Sequence, residues 1–176
     1  MREPAELGVT GPGWDEEFDA FFRAHARSLI GQAFLFTGDL AQAQDLANEA
    51  LARAWERWGH VRALESSLAW TRRVLYNLAV SEWRRAKVRS RHGDPPRPVE
   101  GPDVEALVLA DALRSLPELQ RQAIVLHDAA GVGVRQVARE LGVPEGTVRS
   151  WLTRGRAVLA ARLRLDDEGA EHNAEL

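Results

Sequence analysis

Thirteen residues, SRHGDPPRPVEGP (Ser90–Pro102), hold four prolines and two glycines and interrupt a chain that elsewhere carries helical periodicity. Proline lacks the amide hydrogen that a helix needs, and it pushes the preceding residue toward extended backbone. This stretch cannot be helix, and fully extended it reaches over roughly 40 Å. The chain is therefore expected to form two helical units on a Pro-rich tether.

The rest of the composition agrees with that division. A single tyrosine, few β-branched runs and no hairpin dipeptides leave strands without support. The expected fold class is all-α, with a flexible arm at 1–14, a helical domain at 15–89, the linker at 90–102, a second helical domain at 103–165 and an acidic tail at 166–176. In the first domain, helices are expected over Glu16–Phe36, Leu40–Trp58 and Leu68–Val88, broken at Thr37-Gly38-Asp39. In the second they are expected over Asp103–Leu116, Glu118–Ala130, Val134–Leu141 and Glu145–Leu165.

Several function classes fall away at once. With no cysteine there are no disulfides, no thiol chemistry and few routes to structural zinc. The five histidines (His25, His60, His92, His127, His172) show no metal-ligand spacing, so neither a metal nor a cofactor is expected. No nucleophile–base grouping and no Gly-rich phosphate loop stand out, which argues against an enzyme. No apolar run approaches the roughly 20 residues of a membrane span, and the start lacks a signal-peptide core. A cytoplasmic protein without membrane insertion is expected.

The formal charge of −3 hides a segregation of charge. Trp70–His92 carries seven basic residues against one acid, and Val134–Arg164 seven against two, while Asp166–Leu176 carries five acids and no Lys or Arg. Two basic blocks in an acidic chain point to two places where a polyanion is met.

The second block contains RQVARELGVPEGTVRSWLTRGRAVL (Arg135–Leu159). Val134, Val137, Ala138 and Leu141 give one helix a buried face, Gly142 suits a left-handed cap, and Val148 and Leu152 anchor the helix that follows. That is the pattern of a helix-turn-helix, whose second helix enters the major groove. Arg135, Glu145, Thr147, Arg149, Ser150, Thr153, Arg154 and Arg156 are the candidate duplex-reading residues. Arg149 is best placed for base edges or phosphate, and Arg154 and Arg156 for phosphates. Trp151 is expected to pack beside Leu152. The bland alternative is a helical hairpin that binds no DNA.

In the first domain, a wheel at 100° per residue puts Trp70, Thr71, Val74, Leu75, Leu78 and Ala79 on one half of the third helix. Arg73, Tyr76, Asn77, Val80 and Arg84 fall on the other half, with Arg72 and Trp83 at its edge. Arginines interleaved with rings suit single-stranded nucleic acid, although a solvated amphipathic helix looks similar. Opposite the apolar stripe of the second helix lie Asp45, Asn48, Glu49, Arg53 and Glu56. Carboxylates there would repel phosphate, so this face is solvent surface or a protein-docking surface.

The order of these parts carries a resemblance. AQDLANEALARAW (Ala43–Trp55) resembles region 2.2 of the extracytoplasmic-function (group 4) sigma factors of the sigma-70 family. WTRRVLYNLAVSEWRR (Trp70–Arg85) resembles their regions 2.3 and 2.4, and Leu116–Leu159 their region 4 through the GTVRS signature. FLFTGD (Phe34–Asp39) is similar to an actinobacterial, sigma-E-like subgroup. Departures include Gln44 in place of an acid and Trp151 in place of a common Arg. The resemblance implies that Asp45, Asn48 and Glu49 dock on the β′ clamp helices of core RNA polymerase, with the second domain at the β flap. It implies that Arg72, Arg73, Tyr76, Asn77, Trp83 and Arg84 capture the opened −10 element of promoter DNA, and that the helix-turn-helix reads the −35 element. An anti-sigma factor is a further partner it allows. The alternative is a stand-alone helix-turn-helix regulator that binds duplex operator DNA. The acidic helix and the basic, aromatic helix speak against it.

Overall fold

The first helix, α1 (Trp14–Thr37), opens after Gly13 at φ 84° with Asp15, Glu16 and Glu17 in its first turn, where acids favour the positive end of the helix dipole. It ends at Gly38, whose φ of 69° lets its amide bond back to the Phe34 carbonyl at 2.7 Å. Asp39 then caps α2 (Leu40–Glu56), its carboxylate accepting from the Gln42 amide at 3.0 Å. The Thr37 hydroxyl ties the corner by donating to the Ala33 carbonyl. A short α3 (Trp58–Val61) and α4 (Ser67–Arg89) complete the first unit. The second unit holds α5 (Val104–Arg114), α6 (Glu118–Ile124), α7 (Val134–Leu141) and α8 (Glu145–Ala174).

The computed structural model describes residue 11, residues 13–89 and residues 104–174, with side chains through 82 and over 104–164. Among the described residues there is no strand. The expected linker and most of the expected arm lie outside them.

The first unit is built on a close approach. Ala43, Ala47, Ala50 and Ala54 of α2 are fully buried, and the first three, with Leu46 and Leu51, meet Leu29, Ala33, Phe34 and Phe36 of α1 and Leu75, Tyr76 and Ala79 of α4 in one apolar cluster. At its outer end Phe18 stacks at 5.0 Å on both Trp55 and Trp58.

In the second unit, α8 lies against α6, α7 and α5. Gly155 makes the α6 contact possible, because a Cβ there would come within 2.3 Å of Ile124 Cδ1. Gly142, at φ 68°, turns the chain between α7 and α8 as the motif requires.

Three elements differ from expectation. The helix expected over Glu118–Ala130 changes register, ending as a π turn at Val125–Ala129 that closes Ala130 onto Val125. The α2 stripe stops at Glu56, and Trp58 belongs to α3. Helix α8 continues past the expected end at Leu165 through Ala174, into the expected acidic tail.

The units are not independent bodies on a string. Helix α1 packs on α5 and on the π turn, and the apolar cluster runs through both units. Arg121 of α6 is almost fully buried, with its guanidinium over the Phe36 ring at 5.0 Å. Arg114 of α5 donates to the Thr37 carbonyl at 3.1 Å.

Candidate nucleic-acid and docking surfaces

Helix α2 buries an alanine face, and the same register turns Asp45, Asn48 and Glu49 outward, where all three are exposed. Glu49 accepts from Arg53 Nε at 2.8 Å. Asp45 and Glu49 line a groove of about 470 Å³ between α2 and α4, together with Gln42, Leu78 and Ser81. The two carboxylates thus form one edge of a concave surface floored partly by Leu78, which the single-helix reading assigned only to the core.

Helix α4 divides the expected single-strand-reading set. Arg73 and Asn77 are exposed. They line a cavity of about 190 Å³ between the units, whose far wall carries Glu118, Gln122, Glu140 and Leu141. Trp83 and Arg84 lie on α4 beyond the last described side chain. Arg72 and Tyr76 are not at the surface, contrary to their expected places at the edge of the outward half and on it. Tyr76 is 4% exposed, stacks on Phe36 at 5.0 Å and donates to Gln32 Oε1 at 2.8 Å. Burial pushes its phenol well above the usual tyrosine range, so the hydroxyl stays a donor. Arg72 is 6% exposed and pairs with Glu140 of α7, Nε to Oε2 at 3.1 Å and Nη2 to Oε1. Val80, also expected outside, is buried. The causes differ: Tyr76 is buried beneath Gln32 and Phe36 of α1, whereas Arg72 is buried against Glu140 of the second unit.

The helix-turn-helix presents its reading side as a charged network. Glu145, the first residue of α8, accepts from Arg149 Nη2 at 3.0 Å and lies 3.4 Å from Arg135 Nε. Arg149, Ser150, Thr153 and Arg154 are exposed in sequence along α8, while Glu145 and Thr147 are half-buried at its start. The Thr153 hydroxyl donates to the Arg149 carbonyl, and Arg154 Nε to that of Ser150. Arg156 is drawn aside, bonding both carboxylate oxygens of Asp128 in the π turn, Nε to Oδ2 at 2.9 Å. Trp151 is half-buried against the core, and its carbonyl accepts from Gln120. Four basic side chains, Arg135, Arg149, Arg154 and Arg156, are therefore exposed around one rigid helix whose underside is fixed by Val148 and Leu152.

Sequence reasoning missed Glu140 and Arg121. An acid late in an amphipathic helix and an arginine in a polar helix both read as solvent-facing, and only the partner unit buries them. Among the described residues no helix is long and apolar enough to cross a membrane, and no group of acids and histidines is disposed to hold a metal.

Comparison with known proteins accounts for this arrangement. The family models described as Sigma-70 region 2 and Sigma-70, region 4 match residues 21–89 and 106–159. The chain is 35% identical over 172 residues to the ECF RNA polymerase sigma factor SigM of Mycobacterium tuberculosis, covering 92% of this chain and 85% of that protein. It is 30% identical over 152 residues to the RNA polymerase sigma-E factor of Streptomyces coelicolor, covering 84% and 86%. Among solved structures, the sigma factor RpoE of Bartonella quintana, crystallised with the anti-sigma factor NepR, matches with a TM-score of 0.70 at 23% identity, over 86% of this chain and 99% of that one. A two-unit helical chain with exposed carboxylates on its second helix, a basic helix beside it and a helix-turn-helix in its second unit thus belongs to the extracytoplasmic-function sigma factors of the sigma-70 family.

Proposed function

We propose that this chain binds core RNA polymerase in the cytoplasm and directs it to promoters, with residues 15–89 acting at the −10 element and residues 103–165 at the −35 element. The observation that carries the reading is the separation of charge over three helix faces. An exposed carboxylate edge on α2, exposed Arg73 and Asn77 on α4, and an exposed arginine row on α8 face different partners. Asp45, Asn48 and Glu49 dock the chain on the β′ clamp helices, since acids on α2 suit a basic protein partner and repel DNA. The second unit meets the β flap.

Arg73 and Asn77, with Arg84 and Trp83 further along α4, hold the opened strand by backbone contact and stacking. Arg72 joins them once its ion pair is released. Tyr76 supports that helix from beneath. On duplex DNA, Arg149 reads base edges while Arg135, Arg154 and Arg156 hold phosphates, and Glu145 keeps Arg149 extended before contact. Ser150, Thr147 and Thr153 complete the polar row. The chain performs no chemistry itself and needs no cofactor; the polymerase does the synthesis. An anti-sigma factor that covers the docking groove is a fitting regulator.

The test is run-off transcription with purified core polymerase on a library of randomised promoters. Enrichment of one paired −35 and −10 sequence is expected. Tight, polymerase-independent binding of a symmetric operator by a dimer would overturn the reading.

A further inference from the structure

The second unit covers part of the candidate reading surface of α4, burying Arg72 and facing exposed Arg73 and Asn77 across a cavity. Glu140 projects from α7 onto Arg72, and the two side chains are each only 7% exposed. The same carboxylate accepts from Gln136 Nε2 at 3.0 Å, so three donors converge on it. Beside this pair, Glu140 and Glu118 form the wall opposite Arg73 and Asn77 across the 190 Å³ cavity. Around it, Arg139 reaches Glu65 at 3.3 Å, and Arg114 bonds the Thr37 carbonyl. A bidentate carboxylate on an arginine has the geometry of a phosphate on an arginine.

We propose that Glu140 is an internal stand-in for a DNA phosphate, and that the Arg72–Glu140 pair latches the chain in a closed state that cannot take up single-stranded DNA on α4. The inference rests on the proposed role of α4 in holding the opened strand.

The physical chemistry makes such a latch reversible. Bringing two charges out of water costs nearly what their attraction returns, so a buried pair contributes little net stability to the closed state. Removing one partner is different, because it leaves a buried charge uncompensated. The chain escapes that penalty by opening, which returns Arg72 to water. A partner that grips only the open chain then needs modest differential affinity to shift the population. The exposed Arg139–Glu65 pair, at 56% and 86% exposure, is screened by salt and contributes little.

The chain has no cysteine, so His60→Cys and Ala161→Cys, both at exposed positions on different units, accept a dye pair cleanly. Energy transfer between the dyes then reads closure in the full chain without polymerase or DNA. The wild type is expected to show one high-transfer population. Glu140→Gln keeps the side-chain shape, removes the charge and shifts the closed–open equilibrium toward opening by about 100-fold. The same variant binds a fluorescein-labelled oligo(dT) 20-mer at least tenfold more tightly than wild type. Exchanging the charges with Arg72→Glu and Glu140→Arg restores high transfer. That exchange also carries the test should Glu140→Gln lose its helical circular dichroism.

Unchanged transfer in a folded Glu140→Gln, or opening without any gain in oligo(dT) affinity, overturns the proposal. So does failure of the exchanged pair to close. Run-off transcription by the wild type is scored separately. Inactivity there counts against the assigned function, whereas the dye measurement speaks only to the latch.

Discussion

Replacing Tyr76 by Phe separates a core role from a DNA-contacting one. The phenol donates to Gln32 Oε1 at 2.8 Å, and both side chains are almost wholly buried, at 4% and 3%. The substitution leaves the ring on Phe36 and deletes one oxygen, so packing is kept and Gln32 Oε1 loses its donor. A buried acceptor left without a partner costs about 1–3 kcal/mol, and the smaller burden of burying Phe returns part of it. The expected net loss is about 1.5 kcal/mol. At roughly 2–4 °C per kcal/mol for a chain of this size, Tm falls by about 4 °C. Gln32→Leu added to Tyr76→Phe removes both polar partners and recovers part of the loss.

The hydrogen bond lies within the first unit, between α1 and α4, so it persists whether the two units are closed or open. Guanidinium unfolding followed at 222 nm gives the stability, and run-off transcription below the melting range gives the activity per folded molecule. A lowered midpoint with full activity is expected. Unchanged stability together with lost transcription would place the hydroxyl on the promoter and refute the burial reasoning.

Charge reversal at Asp45→Lys with Glu49→Lys is expected to abolish co-purification with core polymerase while leaving the helical circular dichroism intact; retained association would remove α2 from the docking surface. Arg149→Ala is expected to cost roughly 1–3 kcal/mol of promoter recognition in run-off assays on the selected promoter, and no change would take Arg149 off the reading face. Gly155→Val is expected to lower the unfolding free energy by about 2 kcal/mol, because its Cβ would meet Ile124 Cδ1 at 2.3 Å in a packed interface. A stabilised Gly155→Val would contradict the close approach of α6 and α8.

What the sequence made legible was local chemistry. Thr37-Gly38-Asp39 announces a corner because each residue has a backbone reason to be there: a glycine at φ 69° and an aspartate that caps the next helix. Gly142, Val148 and Leu152 announce the second corner in the same way, and the exposed row on α2 follows from the spacing of its alanines. What escaped was contact between distant parts. A helical wheel gives each helix one buried side, but α4 buries more than that: Tyr76 lies under α1, Val80 is buried, and Arg72 meets Glu140 of the other unit. The partners that bury Arg72 and Arg121 lie 68 and 85 residues away, at Glu140 and Phe36, and no periodicity connects them. The π turn likewise has no residue-level signal in VLHDA; it arises where the chain fits α6 onto α7 and α8.

The alanines behind the docking row have a further consequence. Ala43, Ala47, Ala50 and Ala54, all fully buried, present only single methyl groups to the packed side of α2. Each added methylene at these positions acts as a shim, tilting the whole row of carboxylates without altering any of them. On the proposed docking role of that row, the fit of this chain to its large partner is adjustable from the rear of the helix, by residues the partner never touches.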